Sequence, residues 1–284
     1  MFQDPSFSFQ DYLPFIVGLV LICGVSFWDD VKSLPDSVRL VAQFLSMGLA
    51  AWGMIQGSEA MALDWYWLVL IGIGALIVFV GATNIINFMD GINGITAGYA
   101  LAVLVPLLLV DKSYGFIEES YLMVAIIGVL VFCLFNFRPK GKAKCFAGDV
   151  GSIGIAFIML FAVGKLIVQT GDVTYLLLLL VYGVDGCLTI CHRIMLHENL
   201  GEAHRKHAYQ LMANELKIGH VKVSLLYMCL QLAVSLGFIY LVPDTVAAHW
   251  GYFFGALVTL SVAYVLFKMK YYHLHEEYLA SLKK

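Results

Sequence analysis

Long apolar stretches follow one another along almost the whole chain, with short polar connections between them. A helix needs about 20 mostly apolar residues to cross a bilayer. This pattern predicts an all-α fold, a polytopic integral membrane helical bundle, with residues 1–284 as one membrane-embedded domain. The predicted transmembrane helices number nine: 12–28, 38–56, 65–86, 95–110, 120–137, 151–169, 174–191, 222–242 and 250–267. The longest connection, between Cys191 and Val221, is predicted to hold a short helix or two.

Composition supports the same class of protein. Of the 284 residues, 61% are hydrophobic and 13% are charged, and the mean hydropathy is +0.85. A soluble domain carries about a quarter charged residues. The composition therefore excludes a cytosolic enzyme, a disordered chain and a nucleic-acid binder, and it makes the bilayer the first expected partner.

The positions of the basic residues predict an orientation. Of the 17 Lys and Arg residues, all except Lys112 and Lys165 lie in alternate connections, at the span ends that adjoin them, or in the C-terminal tail. Connections rich in Lys and Arg stay in the cytoplasm. We therefore expect the N-terminus outside and the C-terminus inside, an arrangement that nine spans satisfy.

Polar segments with carboxylates gather on the predicted cytoplasmic face, where a mostly apolar protein has little structural need of them. Carboxylate and Asn oxygens suit Mg²⁺, and Arg, Lys and His suit phosphate oxygens. Phe146 adds a flat face for a base. Together these residue types predict a nucleotide-diphosphate substrate handled at the membrane surface. The segments are 28–30, 84–94, 136–152 and 185–210.

Each segment also has a structural interpretation. Asp29-Asp30 is typical of a solvated helix end, and the Asn- and Gly-rich segment is typical of a turn. The basic stretch from Arg138 to Lys144 is typical of the positive-inside bias of cytoplasmic connections. Asp185 lies inside an apolar span and is harder to explain in this way, although a polar contact between helices would account for it.

Two other functional classes remain as alternatives. One is a cation transporter that uses intramembrane carboxylates. The position of most carboxylates at span ends disfavours it, because transporter sites lie near the bilayer midplane. The other is an intramembrane aspartyl protease that uses Asp149 and Asp185. That family needs Gly-x-Gly-Asp, and position 146 is Phe.

Four motifs in a fixed order carry a family resemblance. They are Asp29-Asp30, Asn-x-x-Asn-x-x-Asp-Gly-x-Asn-Gly at 84–94, Phe-x-Gly-Asp-x-Gly-Ser at 146–152 and His-Arg-x-His-x-Tyr-Gln at 204–210. With them the chain resembles the polyprenyl-phosphate N-acetylhexosamine-1-phosphate transferases of glycosyltransferase family 4. The last motif is more similar to the O-antigen and capsule-initiating type than to the muramoyl-pentapeptide type, which has three consecutive histidines.

The resemblance implies an activity and a place in the cell. The family transfers a HexNAc-1-phosphate from a UDP-N-acetylhexosamine to a polyprenyl (undecaprenyl) phosphate and releases UMP. This reaction initiates cell-envelope polysaccharide synthesis at the cytoplasmic face of the bacterial inner membrane. A homodimer is compatible with the resemblance. The family begins with two further spans, so this chain is expected to start where the family's third span does.

The resemblance also implies roles for individual residues. It makes Asp29, Asp30 and Asp90 the catalytic carboxylates. It makes Asn87 and Asp149 the ligands of Mg²⁺, for which Mn²⁺ is an expected substitute. The residues expected to bind substrate, the first two of them at the uracil, are Asn93, Phe146, Arg193, His204, Arg205 and His207.

Overall fold

The computed structural model describes residues 9–199 and 204–282, and within these ranges it contains helices and no β-strand. A 3₁₀ helix covers Glu59–Ala62, another covers Val173–Leu179, and a π-helical turn covers Leu211–Glu215. The α-helices are α1 (Phe9–Val31), α2 (Asp36–Ile55), α3 (Trp65–Phe88), α4 (Ile95–Tyr114), α5 (Glu119–Asn136), α6 (Gly148–Thr170), α7 (Leu180–Met195), α8 (Ala208–Gln210), α9 (His220–Leu241) and α10 (Val246–Leu282).

The predicted number of spans is confirmed for the described residues. Nine helical segments are long and apolar enough to cross a membrane: α1 to α6, α7 with its preceding 3₁₀ helix, α9 and α10. The helix that contains the predicted last span, 250–267, extends beyond it at both ends, since α10 runs from Val246 to Leu282. No Gly or Pro follows Gly255 within α10, so nothing in that part of the sequence breaks the helix where its apolar stretch ends.

The outer helix faces have the character that a bilayer requires. Most residues in the apolar part of α4, of α6 and of α7 with its preceding 3₁₀ helix are buried inside the protein. Almost none in the apolar part of α10 are buried. Exposed side chains on α10 include Val258, Val262 and Leu266. A helix satisfies its own backbone hydrogen bonds, so an apolar helix surface is stable against lipid. The observed fold is therefore a polytopic helical membrane fold.

The helices form two compact units. The first contains the described residues through Asn87 together with Leu107–Ile127 and Ala147–Tyr175. In this unit α1, α2 and α6 pack on one another. Gly18 permits a close approach of α1 to α2, because a Cβ there would lie 2.8 Å from the carbonyl oxygen of Ser46. The Phe15 ring meets Phe161 of α6 at 4.4 Å between centroids.

The second unit contains Phe88–Pro106, Gly128–Phe146 and the described residues from Leu176 on. In it α7 packs on α9 and α10. Gln231 of α9 accepts hydrogen bonds from the Tyr99 hydroxyl and the Val181 N–H, both at 3.0 Å. Each unit thus has its own buried interior. That residues 1–284 act as one functional domain stays a prediction.

Candidate functional site

Two carboxylates of the first unit share one guanidinium. Arg39, in the first turns of α2, forms an ion pair through Nε with Asp29 at 3.1 Å and donates a hydrogen bond from Nη2 to Asp149 at 2.9 Å. Asp29 also accepts the backbone N–H of Leu34 at 2.6 Å, which holds the turn between α1 and α2. The planar guanidinium suits this bridge, because it presents several N–H donors in a rigid fork.

Asp30 caps the first turn of α6. Its carboxylate accepts the backbone N–H groups of Asp149 at 2.9 Å and Val150 at 3.1 Å. The first N–H groups of a helix have no partner within it and favour negative charge. The Asp29-Asp30 pair therefore reaches Asp149 in two ways, through Arg39 and through the helix terminus.

Asn87, in the last turn of α3, joins the same cluster. Its side-chain amide donates to Asp149 Oδ1 at 3.0 Å and to Ser152 Oγ at 2.8 Å. One turn earlier, Asn84 pairs reciprocally with Gln43 of α2, at 2.7 and 3.2 Å. We name Asp29, Asp30, Asn87 and Asp149 the acidic cluster. All four are residues that the sequence predicted for the site.

The acidic cluster has the donor chemistry that a magnesium site needs. Mg²⁺ is typically held by one or two carboxylates, with substrate phosphates and water completing its shell. Asp149 with Asn87 provides a carboxylate and an amide in contact. Among the described residues, no group of three or more His, Cys, Asp or Glu forms a complete metal site. A magnesium ion held by Asp149 and Asn87, with its remaining ligands from a substrate and water, stays a prediction.

The motif at 84–94 continues into the second unit, where it meets the motif at 204–210. Asp90 accepts a hydrogen bond from Thr96 Oγ1 at 2.5 Å. Tyr209 donates its hydroxyl proton to the carbonyl of Phe88 at 3.1 Å. Burial raises the pKa of Tyr209 well above its usual range, so this phenol remains a donor. The contact links two motifs that are far apart in the sequence.

Asn93 is a buried anchor in the second unit, with 5% of its surface exposed. Its side-chain amide donates to the carbonyls of Arg138 and Pro139, both at 3.0 Å. Its N–H donates to His220 Nδ1 at 3.2 Å. Asn93 thereby fixes the connection that follows α5. The predicted contact of Asn93 with uracil stays a prediction.

Basic side chains of the second unit contact either an acidic residue or an aromatic ring. Arg193, at the end of α7, donates to Glu198 at 3.3 Å and to the carbonyl of Asn199 at 2.5 Å. Lys206 also pairs with Glu198. This hydrogen bond from Lys206 lowers the pKa of Glu198. Arg205 lies over the Tyr278 ring, 5.1 Å from its centroid.

The two predicted histidines lie side by side. The ring centroids of His204 and His207 are 4.9 Å apart. Burial, together with the neighbouring His207 and Arg193, lowers the pKa of His204 to about 3. His204 is therefore neutral near pH 7 and can donate one hydrogen bond without carrying charge.

The predicted site residues thus fall into two groups. The acidic cluster lies in the first unit, and Asp90, Asn93, Arg193 and the residues of the 204–210 motif lie in the second. Phe146 is in the second unit and 76% exposed. The catalytic, metal-binding and substrate-binding roles of these residues stay predictions.

Sequence reasoning missed several participants. Arg39 bridges two carboxylates, Ser152 contacts Asn87, and Tyr209 links two motifs. Ser152 belongs to the motif at 146–152 and Tyr209 to the motif at 204–210, and this membership indicated that both contribute to the site. The sequence offered a weaker indication for Arg39, which is a cation in the first turn of the helix that follows Asp29-Asp30. Its pairing depends on how α2 packs against α1 and α6.

Comparison with known proteins gives a family match. The family model of glycosyl transferase family 4 matches residues 12–168. The matched range includes the acidic cluster together with Asp90 and Phe146. It ends before the motif at 204–210.

Individual proteins that match this chain are between 26% and 30% identical to it in the three cases that follow. A phospho-N-acetylmuramoyl-pentapeptide-transferase of Thermotoga maritima is 30% identical over 190 residues, which cover 62% of this chain and 59% of the relative. A probable undecaprenyl-phosphate N-acetylglucosaminyl 1-phosphate transferase of Bacillus subtilis is 26% identical, over 69% of this chain and 57% of the relative. A putative glycosyltransferase of Methanocaldococcus jannaschii is 27% identical, over 66% and 56% respectively. The matched segments thus span less than two thirds of these relatives.

Proposed function

This chain belongs to glycosyl transferase family 4, and from that membership we propose that it transfers a sugar 1-phosphate from a UDP-sugar to a polyprenyl phosphate. The observation that carries the proposal is the contact of Asn87 with Asp149. It joins two family motifs that are 62 positions apart in the sequence. We propose that this pair of side chains supplies the protein ligands for the cation that phosphoryl transfer needs.

The proposed reaction is a phosphoryl transfer. An oxygen of the lipid phosphate attacks the β-phosphorus of the UDP-sugar. The bond from that phosphorus to the bridging oxygen breaks, and UMP leaves with that oxygen. The product is a sugar joined to the lipid through a diphosphate. A lipid phosphate is largely ionised near neutral pH, so the attack needs no separate base.

We assign Asp149 and Asn87 to holding Mg²⁺, which supplies positive charge against the phosphoryl oxygens when it is bound. Asp29 positions Arg39 beside Asp149, and Asp30 holds the first turn of α6 in place. His204, as a neutral donor, and Arg205, as a cation, are proposed to contact the diphosphate and the sugar. Little further side-chain chemistry is required, because phosphoryl transfer depends mainly on positioning and charge stabilisation.

The finer assignments belong to the same proposal. We propose a UDP-N-acetylhexosamine donor, an undecaprenyl-type acceptor and a cytoplasmic active site in the bacterial inner membrane. The relatives include transferases named for muramoyl-pentapeptide and for N-acetylglucosamine substrates. The O-antigen or capsule-initiating type, inferred from the motif at 204–210, therefore stays a prediction, as does the homodimer.

A transfer assay tests the proposed function. Membranes containing the protein are incubated with undecaprenyl phosphate and a panel of labelled UDP-N-acetylhexosamines. We expect label in the lipid fraction and an equal amount of released UMP, with loss of both after chelation and recovery with Mg²⁺ or Mn²⁺. A cation transporter would make no lipid-linked product, and absence of product with every donor would contradict the proposal.

Asp149→Asn tests the assignment to Asp149. It keeps the shape of the side chain and removes the charge, and we expect turnover to fall about a hundredfold, which corresponds to about 2.7 kcal/mol. Asp64→Asn is the matched control, because Asp64 lies in the connection before α3 and its carboxylate accepts a hydrogen bond from the Tyr66 hydroxyl at 2.8 Å, outside the acidic cluster. It should retain the parent activity. Full activity in Asp149→Asn would refute the metal assignment.

A further inference from the structure

Asp185 is a buried carboxylate in α7, with 2% of its surface exposed. Its two oxygens accept hydrogen bonds from three side chains and two backbone N–H groups. The donors are His207 Nδ1 at 3.1 Å, Ala208 N–H at 3.2 Å, Tyr209 N–H at 3.5 Å, Tyr227 hydroxyl at 2.5 Å and Thr189 hydroxyl at 3.2 Å. Three of these donors belong to the 204–210 motif. Asp185 therefore ties that motif to α7.

His207 has one satisfied and one unsatisfied ring nitrogen. Its ring is 2% exposed, and Nδ1 faces Asp185. The opposite nitrogen, Nε2, is buried and has no hydrogen-bond partner among the described residues. A buried polar atom without a partner is uncommon in native proteins and calls for an explanation. A ligand atom that bonds Nε2 would supply one.

The geometry matches a known use of carboxylate–histidine pairs. A carboxylate at Nδ1 fixes a proton there and orients the ring, so Nε2 is left to act on a metal or a substrate. A purely structural tie between helices would be complete with Thr189, Tyr227 and the two backbone donors. It would not require a histidine whose second nitrogen is left unsatisfied.

We propose that Asp185 is a positioning residue that orients His207 so that Nε2 can bond a phosphoryl oxygen of the substrates. The inference rests on the proposed function for the identity of that ligand. Nε2 is buried, so a substrate oxygen reaches it only after a neighbouring group moves. The half-buried ring of His204, 4.9 Å from that of His207, is a neighbour placed to do so.

A double-mutant cycle on turnover tests the positioning role. Asp185→Asn should lower kcat about 10- to 100-fold, the range typical when the partner that orients a histidine is lost. In a His207→Gln background, the same change should cause no further loss, because there is no imidazole left to orient. Equal fold losses in both backgrounds would overturn the proposal, since Asp185 would then act independently of His207.

Thr189→Val is the control for loss of packing around Asp185. It removes one donor to the same carboxylate and leaves His207 in place, so kcat should stay at the parent value. The KM values identify the phosphate that His207 contacts. A larger KM for the UDP-sugar in His207→Gln indicates the nucleotide diphosphate, and a larger KM for polyprenyl phosphate indicates the lipid. Unchanged KM values together with unchanged kcat in His207→Gln would overturn the contact.

A spectroscopic measurement separates this inference from the proposed function. In protein labelled with ¹⁵N-histidine, the His207 signals are assigned by their absence in His207→Gln. We expect a proton on Nδ1, and a change in its chemical shift in Asp185→Asn. An unprotonated Nδ1 in the parent protein would overturn the Asp185–His207 pairing, even if transfer is observed or Asp185→Asn does not fold. A protonated Nδ1 with no transfer to any acceptor would instead refute the proposed function.

Discussion

Gly91 lies so close to Tyr209 that a Cβ at position 91 would be 2.3 Å from the Tyr209 hydroxyl oxygen. The side-chain nitrogen of Gln210 would be 3.0 Å from the same Cβ. Glycine at this position therefore allows the Asp90-Gly91 turn to pack against the Tyr-Gln end of the 204–210 motif. Two motifs that the sequence separates by more than a hundred positions meet at this contact.

The first prediction tests that contact. Gly91→Ala should destabilise the protein by about 1–3 kcal/mol, because an added methyl group forces its neighbours to shift. In a Tyr209→Phe background the cost should be smaller, since the nearest obstructing atom is gone. Unfolding temperatures of the four proteins in detergent measure the coupling. Gly128→Ala in α5, where a Cβ meets nothing within 4 Å, is the control. Additive effects would contradict the contact.

The second prediction concerns the cap on α6. Gly148 and Gly141 both have positive φ, +63° and +73°, so alanine at either position strains the backbone. Only at Gly148 would a Cβ meet a neighbour, Asp30 Oδ2 at 2.7 Å. Gly148→Ala should therefore lower the unfolding free energy by about 1 kcal/mol more than Gly141→Ala, the usual cost of a lost helix cap. Equal losses of stability would show that Asp30 does not hold this turn.

The third prediction concerns Arg39. Arg39→Gln removes the cation between Asp29 and Asp149, so the carboxylates should bind Mg²⁺ at a lower half-saturating concentration. Turnover should nevertheless fall by about tenfold, or about 1.4 kcal/mol, because the two carboxylates lose their common orientation. Titration of transfer activity with Mg²⁺ measures both effects. Arg138→Gln is the matched control, since its guanidinium bonds the Leu134 carbonyl and should affect neither. A higher Mg²⁺ requirement in Arg39→Gln would refute this account.

The fourth prediction follows from the lowered pKa of His204, about 3 in the folded protein. An unfolded histidine has a pKa near 6.5, so below that pH the unfolded chain binds a proton that the folded chain does not. His204 should therefore reduce stability as the pH falls from about 7 to about 5. His204→Asn should show a smaller fall in unfolding temperature over that range. His273→Asn, at an exposed histidine of α10, should behave as the parent. An unchanged fall in His204→Asn would contradict the burial argument.

The fifth prediction tests the orientation inferred from basic residues. Lys112 and Lys142 are both exposed and are predicted to lie on opposite sides of the membrane. In a protein without its native cysteines, Lys142→Cys should react with a membrane-impermeant maleimide only in inside-out vesicles. Lys112→Cys should react only in intact cells. Reaction of both variants from one side would mean that the topology between them is wrong.

The sequence alone was sufficient for the membrane fold and the family. Length and apolar character are local properties of a segment, so the spans could be predicted without knowing how helices pack. The last span shows the limit of this reasoning, because an apolar stretch marks the part of α10 suited to the bilayer and not the point where the helix ends. The motifs identified the family because their residues and order are themselves sequence properties.

Only the tertiary structure decided how those residues are used. Arg39 reaches Asp149 across 110 positions, and Asp185 meets His207 across 22. No periodic pattern signals such pairs, because they depend on how helices rotate and pack against each other. The sequence left Asp185 as a carboxylate in an apolar span, and the fold surrounds it with five donors. A charge buried in a low-dielectric interior is stable only with such partners, and these come from segments that folding brings together.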